Sequence, residues 1–254
     1  MRKTFKKSVI VIACVIMICG GWGNSLNAMM MSRRNVAGNS ISVFDSELKT
    51  GLIHLWEFDG DANDQIGGLH LTQTGDVSYV NGKMKNCVLL DGGYLYNLSA
   101  GINLNINNWM VSFWFNSAKN GYSESNGMGG ILFNYTGSMS TYGIGTQFLE
   151  TTSRLYFYRG NGGVTSASGF NKNTWYHICL CNNLIYIDGV KTESAGINSV
   201  LRLYSVYVGR FFTASSNPEG RFLGSIEQIG IWNRILSDDE VLKLYNEGNG
   251  LPYL

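Results

Sequence analysis

Trp175-Tyr176-His177-Ile178-Cys179-Leu180-Cys181-Asn182-Asn183-Leu184-Ile185-Tyr186-Ile187-Asp188-Gly189-Val190-Lys191-Thr192-Glu193 can be read almost turn by turn. Residues 175–181 form a strand, Asn182-Asn183 a two-residue turn, and residues 184–187 the return strand. Asp188-Gly189 supplies a second tight turn, because both residues tolerate the positive φ that such hairpins demand. Residues 190–193 then close a three-stranded antiparallel meander.

Working outward, Trp109-Met110-Val111-Ser112-Phe113-Trp114-Phe115 is the clearest single strand. Trp109, Val111, Phe113 and Phe115 share one face, and Met110, Ser112 and Trp114 the other, so both faces are largely covered. Leu52 to Phe58 opens the ordered region, with Leu52, Trp56 and Phe58 on one face if period two holds. Cys87 to Leu90 is a short buried run that stops at the turn signal Asp91-Gly92-Gly93. Residues 131–135, 144–149, 155–159, 204–208 and 224–232 are further strand candidates. The convincing helix is C-terminal: Ser237-Asp238-Asp239-Glu240 is a capping box, Val241, Leu244 and Tyr245 supply an apolar stripe, and Gly248 offers a left-handed stop.

Composition agrees with this pattern. Of 254 residues, 15% are charged and 13% aromatic, with 32 Gly and only 2 Pro. That charged fraction lies well below the roughly 25% of an average soluble domain, which argues against disorder and coiled coil. The expected fold is all-β: one antiparallel β-sandwich with a short C-terminal helix.

The N-terminal part reads differently. Arg2, Lys3, Lys6 and Lys7 precede the apolar run Val9 to Cys19, which is followed by Gly20 to Gly23 and then Ser25-Leu26-Asn27-Ala28. This is the pattern of an export signal over residues 1–28. The run is shorter than the about 20 residues of a spanning helix, although an uncleaved anchor is the rival reading. Residues 29–50 are polar and aperiodic, a linker or arm, and residues 51–254 form the domain. Without residues 1–28 the 19 basic residues fall to 15 against 18 acids, a net charge of −3. With no basic cluster larger than Arg33-Arg34, a nucleic-acid partner is not expected. Cys87, Cys179 and Cys181 remain. The last two point to one face of a strand, and the three read as small buried hydrophobes rather than a disulfide or zinc framework.

Four segments together resemble the laminin-G-like branch of concanavalin A-like lectin/glucanase domains. They are Gly51-Leu52-Ile53-His54-Leu55-Trp56-Glu57-Phe58-Asp59-Gly60-Asp61-Ala62-Asn63-Asp64; Cys87-Val88-Leu89-Leu90-Asp91-Gly92; Trp175-Tyr176-His177 with Tyr186-Ile187-Asp188-Gly189; and Gly224 to Ser237. The resemblance implies two curved sheets packed as a jelly roll, and a fold of this kind does not by itself fix function. It also implies a structural calcium ion held by Asp59, Asn63, Asp64 and Glu227 with carbonyls of the 60–66 loop, a chemically suitable oxygen set. The rival reading is that the loop acids only shape a turn. Relatives carry Asp-Glu where this chain has Glu227-Gln228, which weakens the site if that position supplies a ligand.

Catalysis has little support. The glucanase pattern needs paired carboxylates, and Glu57-Phe58-Asp59 is better explained as a strand running into its loop. His177 and His54 are mid-strand, His70 lies in a loop, and no nucleophile elbow is present. Residues 120–129, 136–143 and 160–169 read as long polar loops. Tyr122 and Tyr142, set among Ser, Asn and Gly, are the candidate ligand-binding residues, although loop tyrosines also simply cover a sandwich edge. The expectation is an exported, non-enzymatic binding or adhesion module for a carbohydrate or a surface protein, with no membrane span in the mature chain. The alternative is a structural component of a surface assembly or virion, such as a decoration or tail protein.

Overall fold

The structure, a computed structural model, describes residues 46–104, 108–118, 128–133, 144–149, 154–159, 163–181, 184–193, 201–211 and 220–253. They fall within one compact unit, Ser42–Leu254. In chain order the first strands are β1 (Leu52–Trp56), β2 (Thr72–Thr74), β3 (Val77–Asn81), β4 (Asn86–Asp91), β5 (Tyr94–Asn97), β6 (Ile102–Leu104) and β7 (Met110–Ser117). Then come β8 (Met128–Phe133), β9 (Ile144–Leu149), β10 (Arg154–Arg159), β11 (Gly163–Ser168), β12 (Trp175–Cys181), β13 (Leu184–Ile187) and β14 (Val190–Glu193). The last are β15 (Leu201–Leu203), β16 (Val206–Val208), β17 (Arg210–Phe211), β18 (Gly220–Arg221) and β19 (Leu223–Trp232). Helix α1 spans Ser46–Lys49 and α2 spans Asp238–Tyr245.

An eight-stranded sheet runs β14-β13-β12-β7-β19-β4-β3 with β1 also on β19, and a seven-stranded sheet runs β11-β10-β9-β8-β16-β5-β2. Every pairing is antiparallel. The expected sandwich is therefore the observed one. The meander is present as read, with Asp188 and Gly189 at φ 50° and 74°; residues 182 and 183 lie outside the described residues.

Strand β7 is buried on both sides, and the two sides meet different partners. Phe113 and Phe115 join Phe170, Tyr176 and Phe222 in an aromatic cluster. On the other side Trp114 stacks on Tyr245 of α2, and the Tyr253 hydroxyl donates to Ser112 Oγ. The C-terminal helix and tail thus cover the outer face of the larger sheet.

Strand β19 holds this sheet together. It pairs with β7 along its length, with β4 through residues 223–226, and with β1 through residues 229–232. The hand-over between β4 and β1 is a bulge, with Gln228 at φ 53°. Strand β1 also slips its register between Leu52 and His54, so Leu55 and Trp56 are both buried and the expected strict alternation of Leu52, Trp56 and Phe58 does not hold.

Four further differences from the sequence reading have local causes. Residues 163–168, read as loop, form strand β11, because β10 supplies a complete antiparallel ladder to a segment with no apolar alternation of its own. Strands β2, β3, β5, β6, β15, β17 and β18 are short and carry weak periodicity, so they were not expected. Helix α2 has its capping box, but Asn246 rather than Gly248 takes the left-handed position that ends it, at φ 47°. Asparagine tolerates this conformation, and its amide donates to the Gly250 carbonyl at 2.7 Å. Finally, the end of the 29–50 arm belongs to the fold: Leu48 is fully buried, Trp232 Nε1 donates to its carbonyl at 2.7 Å, and Arg234 binds the Glu47 and Thr50 carbonyls. Truncating this plug measures that. Leu48→Ala is expected to lower the unfolding free energy in urea by about 2–5 kcal/mol, as for other buried leucines; a change near zero would return residues 46–50 to a dispensable linker.

Candidate ligand-binding face

The loop after β1 is organised by one carboxylate. Asp64 Oδ1 accepts from the backbone N–H groups of Leu55, Ile66 and Gly67 at 2.9–3.0 Å. Its Oδ2 accepts from Leu69 N at 2.9 Å and sits 2.6 Å from His54 Nδ1. Burial pushes this carboxyl up, but the His54 bond and the backbone donors outweigh it and hold Asp64 well below the usual carboxylate range. Asn63 bonds to Asp61, and Asp59 accepts from the Asn86 amide at 2.8 Å. Lys85 Nζ lies 3.6 Å from Glu57 and 4.0 Å from Asp59.

Glu227 is fully buried on β19. Its carboxylate accepts from Lys83 N at 2.6 Å, Met84 N at 3.1 Å and Lys85 N at 2.9 Å, which closes the turn between β3 and β4. Gly82 permits this approach: a Cβ there would stand 2.5 Å from Glu227 Oε2. Burial nonetheless raises the Glu227 carboxyl, against the pull of the three backbone bonds.

The residues that the resemblance assigns to calcium do not fit the ion. Calcium needs 6–8 oxygens with lone pairs to give, whereas both oxygens of Asp64 and of Glu227 are engaged by N–H donors and an ammonium stands beside Asp59. Gln228 offers one neutral amide, buried and without a hydrogen-bond partner among the described residues. Among the described residues no three His, Cys, Asp or Glu gather as a metal-holding group. Asp59, Asn63, Asp64 and Glu227 instead shape two turns.

The buried Ser112–His177 contact, Oγ to Nε2 at 2.8 Å, has the chemistry of a nucleophile and its base. Both residues have zero exposure, and burial pulls the imidazole down to about 3, so it stays neutral. Cys179 lies 3.8 Å away with its thiol pushed up to about 12 by burial. This cluster sits beneath Tyr245 and Tyr253 and meets no solvent. Cys87, Cys179 and Cys181 are buried, and none forms a disulfide among the described residues.

Tyr122 and Tyr142 lie outside the described residues. The described aromatic surface is elsewhere, on the outer face of the seven-stranded sheet. In β5 and β16, Leu95, Val206 and Val208 point into the core with zero exposure, so the alternating Tyr94, Tyr96 and Tyr207 project outward. The register lines up Thr72, Tyr96 and Tyr207 across β2, β5 and β16, with Thr74 opposite Tyr94. The ring centroids are 5.7 Å apart for Tyr94–Tyr96 and 6.2 Å for the stacked Tyr96–Tyr207 pair. Thr72 and Thr74 are exposed, Tyr94 and Tyr96 half-buried, and Tyr207 buried beside them. The Arg210 guanidinium lies 4.5 Å from the Tyr94 centroid and that of Arg221 4.4 Å from it. The result is a tyrosine cluster in which Tyr94 is tilted by about 40° from its two neighbours and lies under both guanidiniums, with threonine hydroxyls beside it. The signal in the sequence was Tyr94-Leu95-Tyr96, a period-two pair too short to stand out before β16 and β2 were placed beside it.

The Asp64 cage carries a pH signature. A carboxyl whose folded pKa is depressed contributes stability above its ordinary titration range and loses it as pH falls through the folded value. Glu240, drawn down to about 2 by Arg234, has the same sign, and Glu227 the opposite. Asp64→Asn is expected to be about 2–3 kcal/mol less stable than the native chain at pH 7, with the gap shrinking as urea melts are repeated from pH 5 towards pH 2. A gap that does not change with pH would contradict the cage.

A laminin G-type family profile, described as the concanavalin A-like lectin/glucanases superfamily, matches residues 91–242. No curated protein matches the chain significantly. Among solved structures, domain 4 of AbnA, a GH43 extracellular arabinanase from Geobacillus stearothermophilus in complex with arabinotriose, is 17% identical with a TM-score of 0.53, over 75% of this chain and 96% of that one. The binding domain of Paraclostridial Mosquitocidal Protein 1 is 16% identical with a TM-score of 0.56, over 79% of this chain and 53% of that one. Trypanosoma rangeli sialidase in complex with sialic acid is 12% identical with a TM-score of 0.55, over 80% of this chain and 34% of that one. The chain thus spans about half of the toxin binding domain and a third of the sialidase. At these identities the likeness is one of fold.

Proposed function

The chain belongs to the concanavalin A-like lectin/glucanases superfamily, and we propose that it is an exported, non-enzymatic module that binds a carbohydrate on the outer face of its smaller sheet. The observation that carries this reading is the row Thr72–Tyr96–Tyr207 with Tyr94 beside it. Sugar rings present patches of C–H that pack on aromatic faces, and their hydroxyls need donors and acceptors at the edge of the contact. The half-buried Tyr96 ring beside exposed threonine hydroxyls meets both needs at little entropic cost, since tyrosine has few rotamers to lose. The solved domains with this fold include one in complex with arabinotriose and one toxin binding domain, which agrees with a binding role.

Binding without turnover is supported by the fate of the acids and histidines. Asp64 and Glu227 are consumed by backbone donors, and His177 is sealed under the C-terminal tail. Export is supported by the signal pattern of residues 1–28. Among the described residues no helix is long and apolar enough to cross a membrane.

A glycan array probed in the presence of EDTA tests the reading. Binding to a restricted set of oligosaccharides is expected to persist with the chelator. Tyr96→Ala and Tyr94→Ala are each expected to weaken it about tenfold, the upper end of an aromatic stacking contact, while thermal melts stay cooperative. Release of reducing sugar from any bound glycan, or binding that both alanine variants leave intact, would overturn it.

A further inference from the structure

The geometry points to self-association: β3, an edge strand of the larger sheet, pairs antiparallel with β3 of a second copy of this chain across a two-fold axis at Tyr79. Strand β3 has β4 on one side and ends the sheet on the other. Its register runs from Val77↔Leu90 to Asn81↔Asn86. The ladder continues past both ends, with Gly82 N donating to Lys85 O at 2.7 Å and Asp91 N to Asp76 O at 3.1 Å. Hydrogen-bonded pairs alternate along an antiparallel ladder. Residues 76, 78, 80 and 82 therefore bond to the β4 side, and Val77, Tyr79 and Asn81 turn their N–H and C=O groups to the open edge. Among the described residues no backbone partner meets them there.

Three features select a second copy as the occupant. The outward residues lie evenly about Tyr79, so two such edges set Tyr79 opposite Tyr79 and Val77 opposite Asn81 of the other copy. Each of these three pairs exchanges two bonds, which satisfies every outward group of both strands. Charge does not oppose the pairing: Val77 to Asn81 carries none, and Asp76 before it and Lys83 after it put residues of opposite sign at each end. The other edge of this sheet differs. In β14 the pair Ile187–Val190 closes the two-residue turn, so the outward groups belong to Lys191 and Glu193, and charges of this kind keep an edge from pairing. Lastly, Tyr79 packs against the core, and its hydroxyl is buried with no hydrogen-bond partner among the described residues. A buried phenol calls for a partner, and the two-fold brings a second Tyr79 beside it. Residues opposed across antiparallel strands point to one side of the sheet, so both copies turn the outer faces of their smaller sheets the same way. On the carbohydrate reading that arrangement is bivalent, but the pairing itself does not depend on it.

Sedimentation velocity on the purified chain is expected to show a monomer–dimer equilibrium between about 1 and 300 μM. Asn81→Pro removes an outward N–H and spares the β3–β4 ladder, because proline is tolerated on an edge strand. It is expected to weaken the dimer about tenfold, since the two-fold loses the same bond twice. Chains carrying Ser78→Cys, mixed with chains carrying Val80→Cys in a glutathione redox buffer, are expected to form disulfide-linked pairs. In this register those residues face each other in a non-hydrogen-bonded pair, where side chains approach most closely. A monomer at every concentration, a dimer that Asn81→Pro leaves equally tight, or a mixture that does not crosslink overturns the inference. A monomer that binds a glycan leaves the carbohydrate reading standing, and a dimer that binds none removes that reading while the pairing stands.

Discussion

Everything in the larger sheet turns on β19 and the carboxylate it buries. One strand must serve three neighbours, and it does so by bulging at Gln228 where β4 gives way to β1. Glu227, just before the bulge, gathers the N–H groups of residues 83–85 and ties the β3–β4 turn to the sheet. A buried carboxylate is costly unless its oxygens are satisfied, and three backbone donors satisfy this one. Asp64 repeats the arrangement in the loop after β1. Two acids thus act as internal staples, doing by hydrogen bonding what an ion would do by coordination.

That division fixes where function can sit. Helix α2 and the tail to Tyr253 cover the outer face of the larger sheet, sealing Ser112, His177 and Trp114. The smaller sheet turns Leu95, Val206 and Val208 inward and leaves Tyr94 and Tyr96 half-buried on its other face, with Tyr207 buried between them and the neighbouring strand. The cross-strand row Thr72–Tyr96–Tyr207, with arginines over Tyr94, is the face on which we propose that a sugar binds. The buried nucleophile-like cluster is the part of the molecule least able to meet one.

The fold was legible in the sequence where burial is continuous or turn chemistry is strict. Trp109 to Phe115 and Trp175 to Glu193 announce themselves because both faces of the strand are apolar or because Asp188-Gly189 permits a single kind of turn. Strands such as Thr72–Thr74, Gly163–Ser168 and Arg210–Phe211 did not, since their pairing comes from neighbours distant in sequence. The proposed binding face stayed hidden for the same reason: Tyr96 and Tyr207 are 111 residues apart and become neighbours only through the β5–β16 register. The loop acids were visible as oxygen donors, but whether they hold a cation or backbone N–H groups depends on atoms such as Lys85 N, which periodicity does not place.

Hydrogen exchange with and without a saturating oligosaccharide tests the central claim most directly, because it maps the contact without altering a residue. The account expects slowed amide exchange in residues 72–74, 94–97 and 206–210, with residues 120–143 unchanged. Protection confined to residues 120–143, around Tyr122 and Tyr142, with none on the tyrosine row, would contradict it.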